Sequence, residues 1–293
     1  MREQEQTIHL TQVGVVCSDR LSDGLMMMVA SHRLLTAGAK VTTFHGRMHE
    51  LKSWFGEHEF QDRPFLEDVD RVLGDLDLII IQYDSSPYIK EVIRKLEAHP
   101  RKRILSIFYP IYSKYTHPPL TLFDRVFNKH LPMVENIALA IASILQTCEH
   151  SKNNGLLAPK HLLHRKYKQR VSILPSQWAK KKYETIAREV EKCGFDPLII
   201  ESEDLSYGAS MIFESGYFIA PECDLCHLAS NLQVPTLVVS GNKKPLNLWR
   251  PGWYRSAFIA KPKLIPKALE RFVMPRRVIK AFKNLVNKER IYI

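Results

Sequence analysis

Residues Gly216 to Trp253 read GYFIAPECDLCHLASNLQVPTLVVSGNKKPLNLWRPGW. The segment opens with a short apolar strand, Tyr217 to Ala220, and a helix begins near Glu222 to Cys226. After Pro235 comes a second apolar strand, Thr236 to Val239. A βαβ unit of this kind presents a helix N-terminus at the carboxyl edge of a parallel sheet, with unpaired amides and the positive dipole end outward. The spacing predicts an anion site, and a diphosphate suits it.

Working outward, the same alternation repeats. In the first half, Ile8 to Cys17, Lys40 to His45, Leu76 to Gln82 and Arg103 to Phe108 read as strands. Gly24 to Ala37, Pro87 to Ala98 and Pro132 to Gln146 read as helices. From Cys148 to Arg170 the chain is polar, basic and broken by Gly and Pro, the composition of a linker. Beyond it, strands are predicted at Val171 to Leu174 and Pro197 to Ile200, and helices at Trp178 to Cys193, about Tyr207 to Glu214 and Asp224 to Leu232. Two helices around Pro275 close the chain. The expected organisation is a first Rossmann-like domain over residues 1–150, a linker over 151–169 and a second Rossmann-like domain over 170–293, an α/β fold of two parallel sheets facing a cleft.

Composition narrows the function classes. The 293 residues carry 42 Lys and Arg against 31 Asp and Glu, a net charge of +11. The excess is local: Lys160 to Lys182 holds eight Lys or Arg and no Asp or Glu, and Lys261 to Arg290 carries only Glu270 and Glu289 as acids. Such fields attract phosphates on nucleotide sugars, glycolipids or anionic membrane surfaces. Nucleic acid is disfavoured, since no recognised binding motif accompanies the charge. No apolar run approaches the roughly 18 residues a membrane span needs, and the N-terminal MREQEQTIHLTQ lacks a signal-peptide core. A cytoplasmic protein, with peripheral contact to the inner membrane, is the expectation. The five cysteines show no framework spacing. Cys223-Asp-Leu-Cys226-His227 suggests a metal or redox motif, but no second CxxC accompanies it to complete a four-ligand set, so no metal is expected.

FIAPECDLCHLASNLQVPTLVVSGNKKP resembles, without a gap, the donor-binding stretch of the ADP-heptose:lipopolysaccharide heptosyltransferases, glycosyltransferase family 9. Glu222 stands at that family's acidic position, Cys223 at its Ser/Thr, Asp224 at a Gly, His227 and Leu228 at its His-Leu, and Gly241 at a closing Gly. Arg20 to Met26 is similar to the family loop that ends in its catalytic aspartate, which falls on Asp23. Gln177 to Ala187 matches a Trp-containing segment, with Trp178 on the Trp and Tyr183 on the aromatic.

The resemblance implies a GT-B fold and transfer of a heptose or related sugar, with inversion, from a nucleotide-diphosphate donor to a lipopolysaccharide-core or similar lipid-linked acceptor. No cofactor beyond the donor substrate is implied. Asp23 is the expected base; capping of the first helix by Asp23 or Ser22 is the structural alternative. The expected donor-binding residues are Ser176, Lys180, Glu222, Cys223, Asp224, Leu225, His227 and Lys243. Two positions depart from the family. Its phosphate-binding lysine falls on Ser176, and Asp224 adds negative charge where a glycine lets the backbone approach the diphosphate. These departures keep a second expectation open, a degenerate member that binds a ligand or partner without catalysis. Finally, Val278, Ile279, Phe282, Leu285 and Val286 form an apolar stripe that the GT-B resemblance would pack back onto the first lobe.

Overall fold

A computed structural model describes residues 11–98, 103–177, 179–202, 204–240, 247–254, 256–260 and 273–290. The first lobe runs β1 (Gln12–Val16), α1 (Leu21–Thr36), β2 (Lys40–Phe44), α2 (Lys52–Phe55), β3 (Glu59–Gln61), α3 (Val69–Leu73), β4 (Leu78–Gln82), α4 (Pro87–Ala98), β5 (Ile104–Tyr109), β6 (Arg125–Val126) and α5 (Met133–Ile144). Its strands pair in parallel in the order β3-β2-β1-β4-β5-β6. Helices cover both faces, so β4 (LIIIQ) is buried at every residue, as central parallel strands must be. Asp77, just before β4, accepts the Thr11 and Gln12 amides at 3.0 and 2.8 Å and so anchors the start of β1.

The second lobe runs β7 (Tyr167–Ile173), α6 (Lys180–Glu191), β8 (Asp196–Ile199), α7 (Leu205–Glu214), β9 (Ser215–Pro221), α8 (Asp224–Asn231), β10 (Thr236–Ser240), β11 (Ser256–Ala260) and α9 (Pro275–Arg290). Its parallel sheet has the order β11-β10-β9-β7-β8. The expected two-domain α/β architecture is present, with differences at its seams.

One seam is the segment read as a linker. β7 begins at Tyr167, inside it, because the guanidinium of Arg170 stacks 3.6 Å from the Tyr167 ring and a polar sequence still pairs as a strand. The stretch before it is a strap built into the fold. Asn154, buried, donates from Nδ2 to the Leu25 carbonyl at 3.1 Å, and the Leu157 amide donates to the Trp54 carbonyl at 2.7 Å. Gly155 takes φ +77° directly against the rings of His32 and His58, where a Cβ would collide with both.

The other seam is the contact between lobes, which is a continuous apolar core. Leu21, Leu25 and Met28 of α1, with Trp54 and Phe55 of α2, pack against Leu205, Ala209 and Ile212 of α7 and Leu228 of α8. Trp54 is fully buried, lies edge-on to Phe213 and donates from Nε1 to Ser206 Oγ at 3.2 Å. Removing one large side chain from such a core costs about 3–5 kcal/mol. The lobes are therefore cemented as well as tethered.

The apolar stripe of α9 is buried as expected, but in a different place. Val278, Ile279, Phe282, Leu285 and Val286 pack onto α6 and the second lobe's own sheet. The chain returns to the first lobe earlier, through Leu248, Trp249 and Trp253, which join the core around α1 and α5. Trp253 Nε1 donates to the Lys152 carbonyl at 2.8 Å, which ties this return to the strap.

Candidate functional site

Each sheet reverses its strand order once. In the first lobe the reversal lies between β1 and β4, and in the second between β7 and β9. Loops leaving such a switch point diverge and open a crevice at the carboxyl edge, which is where ligands of doubly wound sheets sit.

The first crevice is closed by polar side chains. After β1, the Ser18 amide donates to Gln82 Oε1 at 3.3 Å, which bridges the ends of β1 and β4. Ser18 Oγ donates to Asp23 Oδ2 in a short hydrogen bond, and Gln82 also bonds the Asp23 carboxyl. Asp23 lies in the first turn of α1 and is buried. Burial pushes its pKa up, against the lowering effect of the Ser18 and Gln82 hydrogen bonds and the Arg20 charge; the charge of Asp224 pushes it up further. A carboxylate so placed is a stronger base than a solvated one. The capping alternative does not describe it. The N-cap of α1 is Arg20, and the Asp23 carboxyl is engaged by Ser18 and Gln82.

The loop after β2 adds a second wall. The Arg47 amide donates to His45 Nδ1 at 2.9 Å, which leaves Nε2 to donate to the Arg20 carbonyl at 3.1 Å. Burial holds His45 below its usual range, in keeping with a neutral ring. That ring rests on Gly24, where a Cβ would come within 2.8 Å of it. Glycine beside Asp23 is thus a packing requirement, because it lets the β2 loop close over the start of α1.

The second crevice faces the first across a cavity of about 380 Å³. Its described lining comprises Leu21 and Arg47 from one lobe and Leu174, Ser202, Asp204, Leu205, Gly208, Cys223, Asp224 and Leu225 from the other. A volume of this size holds a small ligand. Of the residues expected at a donor site, Cys223, Asp224 and Leu225 are on the wall. Asp224 acts electrostatically on Asp23, His45 and Arg47. It therefore faces the space between the lobes, and the Arg47 cation there opposes its charge.

The other expected residues that are described stand back from the wall. Glu222 is exposed and accepts from Ser240 Oγ at 2.6 Å, which links the ends of β9 and β10. His227 is buried, its pKa is lowered to about 4 by burial, and Nδ1 has no hydrogen-bond partner among the described residues. Ser176 is half-buried in the turn before α6. Lys180 is exposed and paired with Glu201 at 2.9 Å, so its charge is shared with a carboxylate. Lys243 and Trp178 lie outside the described residues. Sequence reasoning missed Ser18, Gln82, His45 and Arg47. His45 and Arg47 directly follow a predicted strand and flank Gly46, a signal that could have marked them.

No protein-family model matches the chain, and no curated protein matches its sequence. Solved structures do match in fold. A glycosyl transferase family 9 protein from Veillonella parvula superposes with TM-score 0.65 at 12% identity, over 95% of this chain and 98% of that one. Escherichia coli ADP-heptose lps heptosyltransferase II gives 0.64 at 15% identity, covering 96% and 100%. E. coli heptosyltransferase WaaC with ADP-2-deoxy-2-fluoro heptose gives 0.66 at 11% identity, covering 94% and 99%. Two parallel sheets, facing crevices and this likeness over nearly the whole chain define a GT-B fold.

Proposed function

We propose that the protein is a GT-B glycosyltransferase that moves a heptose or related sugar from a nucleotide-diphosphate donor to an anionic, lipid-linked acceptor such as a lipopolysaccharide core. The observation that carries this reading is the buried Asp23 carboxyl, held at the first switch point and within electrostatic reach of the α8 N-terminus at the second. In this reading α8 holds the diphosphate at its first-turn amides. Cys223, Asp224 and Leu225 contact the donor, and Glu222 and Ser176 frame the flanking loops. Asp23 accepts the proton of the acceptor hydroxyl as that oxygen attacks the anomeric carbon from the face opposite the leaving diphosphate, which gives inversion. Arg47 supplies positive charge where negative charge develops.

The acceptor side is supported by the loop after β5, on the same sheet edge as Asp23. It is anchored by a Tyr83, Tyr109, Tyr112 and His117 aromatic cluster and exposes Ile111, Tyr115, Leu120 and Leu122. An apolar, aromatic loop suits a lipid-linked substrate at a membrane surface. Among the described residues no helix is long and apolar enough to cross a membrane. Peripheral contact with the inner membrane from the cytoplasm belongs to the same proposal.

One observation favours a second reading, a ligand- or partner-binding protein without catalysis. The described cavity wall carries Asp204 and Asp224 against Arg47 alone, and Lys180 is drawn toward Glu201. Isothermal titration with ADP, UDP and GDP separates the two. Micromolar binding of one nucleotide is expected, and no heat at millimolar concentration would leave the non-catalytic reading.

A further inference from the structure

The start of α8 holds two thiols that the transfer reaction does not use. Cys223 is the N-cap, extended at φ −154° and ψ 172°, half-exposed and on the cavity wall. Cys226 is one helical turn further, buried, with its thiol donating to the Pro221 carbonyl at 3.1 Å. The two sulfurs are 3.8 Å apart. A disulfide needs about 2.05 Å, a gap that side-chain rotation at an N-cap and the third helical position can close. The Cys226 thiol gives up the Pro221 carbonyl when it does so. Metal binding is a poor use of the pair, since the described residues contain no cluster of three or more His, Cys, Asp or Glu able to hold an ion. Cys17 is buried in the first lobe's core, and Cys148 and Cys193 lie in the connections after α5 and α6.

We propose that Cys223 and Cys226 are a redox-active dithiol that closes reversibly to a disulfide at the edge of the interlobe cavity. Cys223, the accessible sulfur, attacks one sulfur of a low-molecular-weight disulfide. A mixed disulfide forms and one small thiolate leaves. Cys226 then attacks the Cys223 sulfur and expels the second small thiolate, its own proton passing to that leaving group. Two protein thiols are oxidised to one disulfide, and one small disulfide is reduced to two thiols. Burial pushes the Cys226 thiol well up, so Cys223, the accessible sulfur, is the one that reacts first. Closure turns the Cys223 sulfur inward and removes its S–H from the cavity. This consequence for ligand binding rests on the donor-site reading; the dithiol itself does not.

The test is intact-mass analysis of the folded protein in a Cys148→Ser, Cys193→Ser background after exposure to oxidised glutathione. The expected result is loss of two hydrogens per chain, reversed by dithiothreitol, with Cys223 and Cys226 joined in the peptide map. Cys226→Ser should stop as a single glutathione adduct on Cys223. Cys223→Ser, which leaves only the buried thiols of Cys17 and Cys226, should take up none. A wild-type protein that retains glutathione on Cys223, or keeps both thiols free, overturns the proposal. ADP titration of the reduced and oxidised forms reads the consequence: affinity falls about tenfold on oxidation, the worth of one hydrogen bond to a charged group. Equal affinity removes the switching role. No ADP binding by the reduced protein sinks the donor-site reading, and the dithiol is then judged on mass alone.

Discussion

Asp23→Asn separates a catalytic carboxylate from a structural one, because the two roles predict opposite results. The side chain is buried and its bonded neighbours, Ser18 and Gln82, can each donate or accept. An amide of the same shape therefore keeps its hydrogen bonds and loses only the charge. As a general base, Asp23 accounts for about 10²–10⁴ in rate, so ADP release from ADP-heptose in the presence of a heptose-deficient core acceptor should fall at least about a hundredfold. ADP affinity should stay within about twofold, since Asp23 is not on the described cavity wall. Stability should rise. Burial raises the folded-state pKa above the ordinary value of 3.8, so the folded protein binds this proton more tightly than the unfolded chain does. Stability due to this group therefore falls as pH climbs from about 3.8 to the raised folded value and is level above it. The Asn variant lacks that loss. Its gain should shrink as pH falls, because the wild-type carboxyl then recovers its proton. A melting temperature about 2–4 °C higher per kcal/mol is the readout. Wild-type transfer, or a variant that melts lower at pH 7, refutes the assignment.

Asp224→Gly should tighten ADP binding by ten- to a hundredfold in isothermal titration. At about 5 Å and an effective dielectric near 20, the repulsion it removes is of order 3 kcal/mol per phosphate charge, and Arg47 already cancels part of it; unchanged affinity would mean that the diphosphate does not approach α8. Gly155→Ala should cost about 2–5 kcal/mol, because it combines a left-handed backbone with a Cβ driven into His32 and His58. A melting temperature within 2 °C of wild type would show that the strap carries no strain. His227 is held at about 4 against an ordinary 6.5, so the stability it contributes is lost as pH falls from 6.5 toward 4. His227→Gln should flatten the acid side of the stability profile by up to about 3 kcal/mol, as read by denaturation at pH 7 and pH 4.5.

The unit β9-α8-β10 was the most legible because two short apolar runs bracket one short helix. Thr236 to Ser240 is buried at all five residues, and a run of that kind next to Pro235 has one reading. β3 and β6, with three and two residues, are too short to carry a period, and β11 falls in a segment without a strong apolar run. The strap from 151 to 158 was illegible for another reason. Its buried polar groups are satisfied by long-range bonds, the Asn154 side chain to Leu25 and the Leu157 amide to Trp54, and those bonds exist only once α1 and α2 of the first lobe are in place.

The same distinction explains which half of the site could be read in advance. Cys223, Asp224 and Leu225 belong to one contiguous helix start, and local spacing puts them together on one wall. Asp23 was legible as a residue at a strand-to-helix handover, but its environment was not. Ser18 is five residues away and Gln82 comes from a different strand, so only the sheet order β1-β4 brings them to the carboxyl. Asp224 taken alone is a charge in the wrong place for a diphosphate. In the fold, Arg47 arrives from the other lobe within electrostatic reach, held by a histidine that fits because residue 24 is glycine. Whether an acidic helix start can hold an anion is therefore decided by the opposite wall of the cavity, and that wall exists only because Trp54, Leu21 and their partners bury one apolar core between the lobes.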